Sequence, residues 1–348
     1  MKVQSFCDLP FNRLRVDCEG FAYMCCAQRP DEREDKRKHA IGNLLECGFE
    51  EVWNGDAAVK IREATLNQTL HSKCQVKGCP YYHGKHLEDH VEDVIYDLYP
   101  ESLEIDLPNI HCNVGLEQPN PDRPACIMCE RASPGFQPEK DRLDDVLRVI
   151  RPFVSHLKHV HIQGIAEPFF KNKLFEILDI LQINGQSQTI HVSTTTNATI
   201  FGKTIRSRYL DLCSKSTTVF SVDASSAKTF EKIRILPLFR QVTKNIYDFC
   251  RERDARHQST IIHNNINVHN VHEVADMVKL GHDLGVDQIH FSPTAGWNNS
   301  LLVSHHNAGQ FHKAERHAKE MSEKLNIPVK FLKPLDQGLT NQLVQLSL

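Results

Sequence analysis

The sequence predicts an α/β protein: a partial (β/α)6 TIM-like barrel over residues 101–348, preceded by a small Cys-rich domain over residues 1–100. Three observations carry this reading. Cysteines concentrate early: Cys7, Cys18, Cys25, Cys26, Cys47, Cys74 and Cys79 precede residue 80, Cys112, Cys126 and Cys129 follow, and only Cys213 and Cys250 lie further on. From residue 103 onward, short apolar or β-branched runs alternate with amphipathic stretches, which predicts parallel strands joined by right-handed crossovers. Six such runs are too few to close an eight-fold barrel, so the barrel is open.

In chain order, residues 29–38 form a basic–acidic run that reads as a solvated loop. Residues 49–66 read as helix with a break at Asn54-Gly55, and residues 88–99 as a connection ending at Pro100. Strands are expected over residues 103–107, 159–163, 189–194, 218–222, 259–264 and 288–292. Leu143, Val146, Leu147 and Ile150 fall at helical spacing, as do Val271, Val274 and Val278. Phe311, Ala314, Ala318, Met321 and Leu325 mark a last helix before a final strand over residues 327–332. In such a fold, function sits at the C-terminal ends of the strands.

Composition narrows the class. The 41 Lys and Arg nearly balance 44 Asp and Glu, a net charge of −3, so nothing points to nucleic acid or another polyanion. No apolar run approaches the ~18 residues that cross a bilayer, and residues 1–11 lack the apolar core of an export signal. The reading is a cytoplasmic protein without membrane attachment. Disulfides are uncommon there, so clustered cysteines read as metal ligands.

The stretch CNVGLEQPNPDRPACIMCER, residues 112–131, follows the first expected barrel strand. Cys112, Cys126 and Cys129 place three thiolates on one loop, which suits an iron–sulfur cluster with one iron open. A lone CxxC would instead suit half of a zinc site. After the second strand comes Gly164-Ile-Ala-Glu167-Pro168, whose Glu167 can hold the amine of a ligand bound at that iron.

Together these segments resemble radical S-adenosylmethionine (SAM) enzymes. Cys112, Cys126 and Cys129, with Met128 between the last two, resemble the CxxxCxxC loop, although thirteen residues separate the first two cysteines. Gly164 and Glu167 resemble the GGEP segment that grips the methionyl amine, with Ala166 in place of the second Gly. Thr195-Thr196-Asn197-Ala198-Thr199 resembles TTNGT, and Ser221-Val-Asp223 resembles the ribose-facing SxDG. Phe291 lies on the last strand, where the family's backbone meets adenine. The resemblance implies a [4Fe–4S] cluster that receives one electron from a donor such as flavodoxin or ferredoxin. It then cleaves SAM to a 5′-deoxyadenosyl radical that takes a hydrogen atom from substrate. The expected substrate is a small natural product of sugar, cyclitol or amino-acid type, undergoing oxidation or epimerisation. The alternative is a ribosomally made peptide.

Cys7, Gly20 and Cys25 stand in the spacing C-x12-G-x4-C, which resembles the opening of SPASM and twitch auxiliary cluster modules. The resemblance implies a second [4Fe–4S] cluster on Cys7, Cys25, Cys74 and Cys79, with Cys26 able to replace Cys25. Four Cys are also a zinc set, so a zinc-stabilised, non-catalytic binding protein is the reading from another class. Cys18, Cys47, Cys213 and Cys250 have no obvious metal role; Cys250 in a helix-like stretch and Cys213 at a helix end read as core packing rather than hydrogen-atom donors.

Overall fold

The computed structural model describes residues 7–25, 35–67, 69, 71–74, 98–108, 126–129, 132, 139–164, 166–183, 189–294, 298–301, 303 and 308–332. Cys26, Cys79 and Cys112, and the connection expected over residues 88–97, lie outside the described residues. The chain divides into two compact units. The first comprises Met1–Pro108, Pro138–Gly164 and Leu174–Val192; the second comprises Asn109–Gln137, Ile165–Lys173 and Ser193–Leu348. Residues 1–100, expected as a domain of their own, share the first unit with the first two barrel strands.

The first unit opens with α1 (Leu9–Asn12), β1 (Arg13–Val16) and β2 (Phe21–Tyr23). Then come α2 (Lys36–His39), β3 (Gly42–Asn43), α3 (Leu44–Cys47), α4 (Phe49–Trp53) and α5 (Asp56–Leu66). The expected break at Asn54-Gly55 separates α4 from α5. Arg62 of α5 is fully buried, donating to the carbonyls of Pro10 (2.8 Å) and Trp53 (2.9 Å) with its guanidinium over the Trp53 ring, which fastens α5 to α1 and α4. The unit continues with β4 (Ser102–Leu107), α6 (Leu143–Ile150) and β5 (His159–Gly164). α6 buries Leu143, Val146, Leu147 and Ile150, the face its spacing predicted.

Three short strands at the N-terminus were not legible from the sequence. β1 pairs antiparallel with β2 and parallel with β4, and β4 pairs parallel with β5 from Ser102↔His159 to Leu107↔Gly164. The Cys-rich segment therefore extends the barrel sheet at the edge of its first strand. The seam is charged: Arg15 binds Asp106 through Nε (2.8 Å) and Nη2, and Arg13 pairs with Glu104, which also accepts from Gln163. Arg15, Glu104 and Asp106 are each at most 5 % exposed, so these charges stay in place only because they satisfy one another.

The second unit contains the later part of β6 (His191–Thr196), then α8 (Lys203–Leu212), β7 (Ser216–Ser221), α9 (Ala227–Arg234) and α10 (Phe239–Glu252). The helix α7 (Lys173–Ile180) precedes β6. β8 (Gln258–Ile266), α11 (Val274–Leu284), β9 (Gln288–Pro293), α12 (Ala308–Leu325) and β10 (Val329–Phe331) complete the unit. β7, β8, β9 and β10 pair in parallel in that order, with β6 beside β7. All six expected barrel strands form, with boundaries moved by up to two residues, and β10 adds the final one. The fold is α/β, with the strand–helix repeat of a partial barrel.

Along β7 to β9, residues alternate between two faces. Phe220, Ile262, Ile289 and Phe291 are fully buried, while Ser221, His263, Asn265, His290 and Ser292 are half-buried on the opposite face. Period-two alternation thus separates an apolar, helix-covered side from a more open polar side. Phe169, Phe201, Tyr209, Phe220 and Phe249 pack as one aromatic group with centroid distances of 4.7–6.2 Å. Among the described residues no helix is long and apolar enough to cross a membrane.

The charged seam yields a stability test. Asp106→Ala removes the bidentate partner of the buried Arg15 guanidinium, which keeps a 3.5 Å contact to Glu104, and should cost about 3 kcal/mol, read as a lowered urea midpoint at unchanged slope. Arg15→Met together with Asp106→Leu should recover most of that loss.

Candidate functional site

Glu167 lies at the start of the segment following β5 and is 2 % exposed. Its carboxylate accepts from Thr196 Oγ1 (2.7 Å), the Asn197 backbone N–H (2.9 Å) and the Phe169 N–H (3.3 Å). Among the described residues it has no ion pair. Burial pushes its carboxyl up to about 7, against those hydrogen bonds and the Arg234 charge. A buried carboxylate so held, with no cation of its own, is poised to receive one.

The turn after β6 holds Glu167 because of its local geometry. Asn197 Oδ1 accepts from the Thr199 N–H (2.9 Å) and hydroxyl (2.6 Å), an Asx turn that aims the Asn197 N–H back at Glu167. Ala198 follows in the left-handed region, φ 58°, where glycine would sit without strain. Asn245 and Gln241 of α10 hold this turn through the carbonyls of Ala198 and Thr199. Thr196 points into the buried side, whereas Thr195 is half-buried on the other face of β6.

Cys126 and Cys129 form a tight turn, with the Cys129 N–H donating to the Cys126 carbonyl at 2.9 Å. The Ile127 N–H docks this turn on the Ile233 carbonyl at the end of α9 (3.0 Å), and Cys126 Sγ lies 3.8 Å from the Arg234 carbonyl. Burial pushes the Cys126 thiol up, opposed by the Arg234 charge, so its thiolate needs a cation's charge to persist. Cys129 and Met128 are half-buried beside it.

Asp223 is fully buried and engaged on both oxygens: Arg234 Nε lies 2.5 Å from Oδ2, and the Asn265 N–H donates to Oδ1 at 2.8 Å. It braces the end of α9 that supports the Cys126 turn. Ser221, two residues earlier, is half-buried on the polar face. The Phe291 ring is fully buried against Phe331, and its carbonyl accepts from the Leu332 N–H at 2.7 Å. Arg234 had no signature in the sequence. Nor had the chain running from His263 Nε2 to Ser292 Oγ (2.8 Å) and on to Asn265 Oδ1 (3.0 Å).

Gly164 belongs to the first unit. Its φ of 140° favours glycine, and a Cβ there would meet the Leu107 backbone N and O at 2.8 and 2.9 Å. Gly20, between Cys7 and Cys25, has φ 90°, and a Cβ would lie 2.8 Å from Asn43 Oδ1. Both motif glycines are thus demanded by backbone geometry.

Cys7, Cys25 and Cys74 are half-buried and not in disulfides. Among the described residues, the only trio of potential ligand atoms drawn within 4.8 Å of one another is Asp17, Glu19 and Glu139. That trio encloses Lys36 Nζ at 2.9, 2.7 and 2.6 Å, so it is an ion-pair hub. The run read as a solvated loop thus contains a lysine held by three carboxylates, because its partners are supplied from 17 to 103 residues away. Sulfurs on one zinc ion would stand about 3.8 Å apart, given Zn–S bonds of about 2.3 Å. No three of the described cysteines are gathered within 4.8 Å of one another.

Comparison with known proteins bears on this directly. Residues 7–80 match the SPASM iron–sulfur cluster-binding domain. The structure of native anSMEcpe with AdoMet bound superposes with a TM-score of 0.51 at 17 % identity, over 67 % of this chain and 64 % of that one. Residues 7–80 are thus similar to that cluster-binding domain, and the chain shares the fold of the anSMEcpe structure. Streptococcus suis SuiB bound to S-adenosylmethionine gives a TM-score of 0.49 at 14 % identity, over 68 % of this chain and 50 % of that one. SuiB bound to its precursor peptide SuiA also gives 0.49 at 14 % identity, over 96 % of this chain and 72 % of that one. The chain thus spans only about half of the first SuiB chain in that alignment. No curated protein matches it in sequence.

Glu167 generates a pH prediction. The unfolded carboxyl loses its proton near 4.5, whereas the folded one keeps it up to about 7. Between these values the folded chain binds more protons, so stability falls as pH rises through that window and levels off above it. Glu167→Gln should remove up to about 3 kcal/mol of that fall, seen by comparing urea midpoints from pH 4.5 to pH 8 without SAM.

Proposed function

We propose that this protein is a radical SAM enzyme of the oxidoreductase or epimerase type. The observation that carries the proposal is Glu167: buried, oriented by Thr196 and the Asn197 N–H, and in no ion pair among the described residues. An ammonium such as the methionyl amine of SAM supplies the missing charge. Cys126 and Cys129, with Cys112, would hold the cluster whose open iron binds the same amino acid moiety. When bound, the reduced cluster and SAM together supply a 5′-deoxyadenosyl radical for hydrogen-atom abstraction, chemistry that belongs to the cofactors.

The chain's own residues bind and orient. Glu167 neutralises the amine, the Asn197 turn keeps the carboxylate pointed, and Asp223 with Arg234 keeps the Cys126 turn seated on α9. Thr195 and Ser221 offer hydroxyls from half-buried positions on β6 and β7. The polar face also offers the uncharged donors and acceptors of His263, Asn265 and Ser292, which suit a neutral, hydroxyl-bearing small substrate of sugar, cyclitol or amino-acid type. Burial holds the His263 imidazole below its usual range, so it is neutral near pH 7. Cys7, Cys25, Cys74 and Cys79 would hold the auxiliary cluster, and a flavodoxin- or ferredoxin-type protein would deliver the electron.

Anaerobically reconstituted protein given dithionite and SAM should release 5′-deoxyadenosine. Cys112→Ala, Cys126→Ala and Cys129→Ala should each abolish that release. Glu167→Gln should weaken SAM binding by about 10- to 100-fold, the worth of one charge-assisted contact. Intact SAM with every variant equal to the parent, or tetrahedral sulfur-bound zinc in place of iron, would overturn the proposal.

A further inference from the structure

We propose that Lys73 is a positioning residue for the auxiliary cluster, setting the place of Cys74 relative to Cys25 through the short helix α2. This rests on reading Cys7, Cys25, Cys74 and Cys79 as cluster ligands. Lys73 Nζ donates to three backbone carbonyls, those of Arg37 (3.2 Å), Lys38 (3.0 Å) and Ala40 (2.8 Å). An ammonium has three donors, so all three are spent on one stretch of backbone. Those carbonyls lie at the C-terminal end of α2, where helix carbonyls lack partners and carry partial negative charge.

Lys73 is itself part of a closed turn. The Cys74 N–H donates to the His71 carbonyl at 2.9 Å, and the Lys73 N–H bonds to His71 Nδ1 at 3.2 Å. Fixing the Lys73 ammonium therefore fixes the backbone that presents the Cys74 sulfur. At its other end α2 grips the hairpin that leads to Cys25. Lys36 binds Asp17 and Glu19 in the β1–β2 turn and also Glu139, while the Arg37 guanidinium lies 5.6 Å from the Phe21 ring centroid. Cys25 follows two residues after β2 ends at Tyr23. The helix α2 is thus clamped on one side to the hairpin carrying Cys25 and on the other to the turn carrying Cys74. A polynuclear cluster tolerates little error in the separation of its thiolates, and this brace ties together two cysteines that have 48 residues between them in the chain.

The test uses full-length protein, purified and reconstituted anaerobically, as parent, Lys73→Met, Lys73→Arg and the distant surface variant Lys244→Met. Iron and sulfide are counted, each cluster's EPR signal and midpoint potential are recorded, and melting is followed separately. Parent and Lys244→Met should hold about eight iron per chain, as two cubes require. Lys73→Met should fall about two-fold, losing the auxiliary signal while keeping the signal that SAM perturbs, or should retain the auxiliary cluster at a displaced potential. Lys73→Arg, whose fork reaches the same carbonyls, should restore the parent values. Full iron with unchanged signals and potentials in Lys73→Met would overturn the assignment. So would an equal loss of both clusters with lowered melting, which is general destabilisation. A parent holding about four iron or none would overturn the ligand reading itself, an outcome distinct from a failure of Lys73 alone.

Discussion

The bidentate pairing of Arg15 with Asp106 is the constraint on which the first unit turns. β1 has four residues and β2 three, too few for a hairpin that stands alone in water. β1 persists because it shares a parallel ladder with β4, and the Arg15 fork crosses that seam with both oxygens of Asp106 satisfied. Replacing Asp106 alone takes the bidentate partner from the buried Arg15 guanidinium and leaves it a 3.5 Å contact to Glu104. The seam therefore locks the register of the Cys-rich hairpin to the strand that precedes the Cys112–Cys129 loop. The Cys-rich segment shares hydrogen bonds with the barrel's first strand.

A second regularity is how buried carboxylates are used. Glu167, Asp223 and Glu273 are each met by backbone N–H groups or hydroxyls from a neighbouring segment. Glu273 accepts from the N–H and hydroxyl of both Ser225 and Ser226 and is also bonded by Thr229, which fixes the start of α9. Asp223 secures the other end of the same helix through Arg234. The Cys126 turn rests on that end, so its placement depends on two carboxylates that touch no cysteine. Glu167 differs from both in having no cation or helix end to stabilise, which is why it stands out as a receptor for a cationic group.

The polar face of β7 to β9 was readable only in part. Ser221 and Asp223 would share one face of a continued strand, yet the strand ends at Ser221 and the chain beyond it buries Asp223. Ser221 remains half-buried, and a two-residue step past the strand end carries Asp223 into contact with Arg234. Phe291 is likewise an aromatic residue on the expected strand, but its ring belongs to the helix-covered side. The Ala198 substitution in the Thr-Thr-Asn motif retains the left-handed backbone that glycine would favour, held by α10 side chains that no local pattern reveals.

Local chemistry and periodicity determined the element types, their order, and the residue types able to bind iron–sulfur clusters and an amine. Helical and strand spacing act over a few residues, and Gly164 and Gly20 are required by their own φ, so these features are written where they are used. Tertiary structure alone decided that Arg15 meets Asp106 across 91 residues, that Lys36 lies among three carboxylates, and that Lys73 caps α2. Those contacts depend on which segments are brought together. A charged side chain in sequence carries no mark of whether its partner will be water or a carboxylate brought from a distant strand.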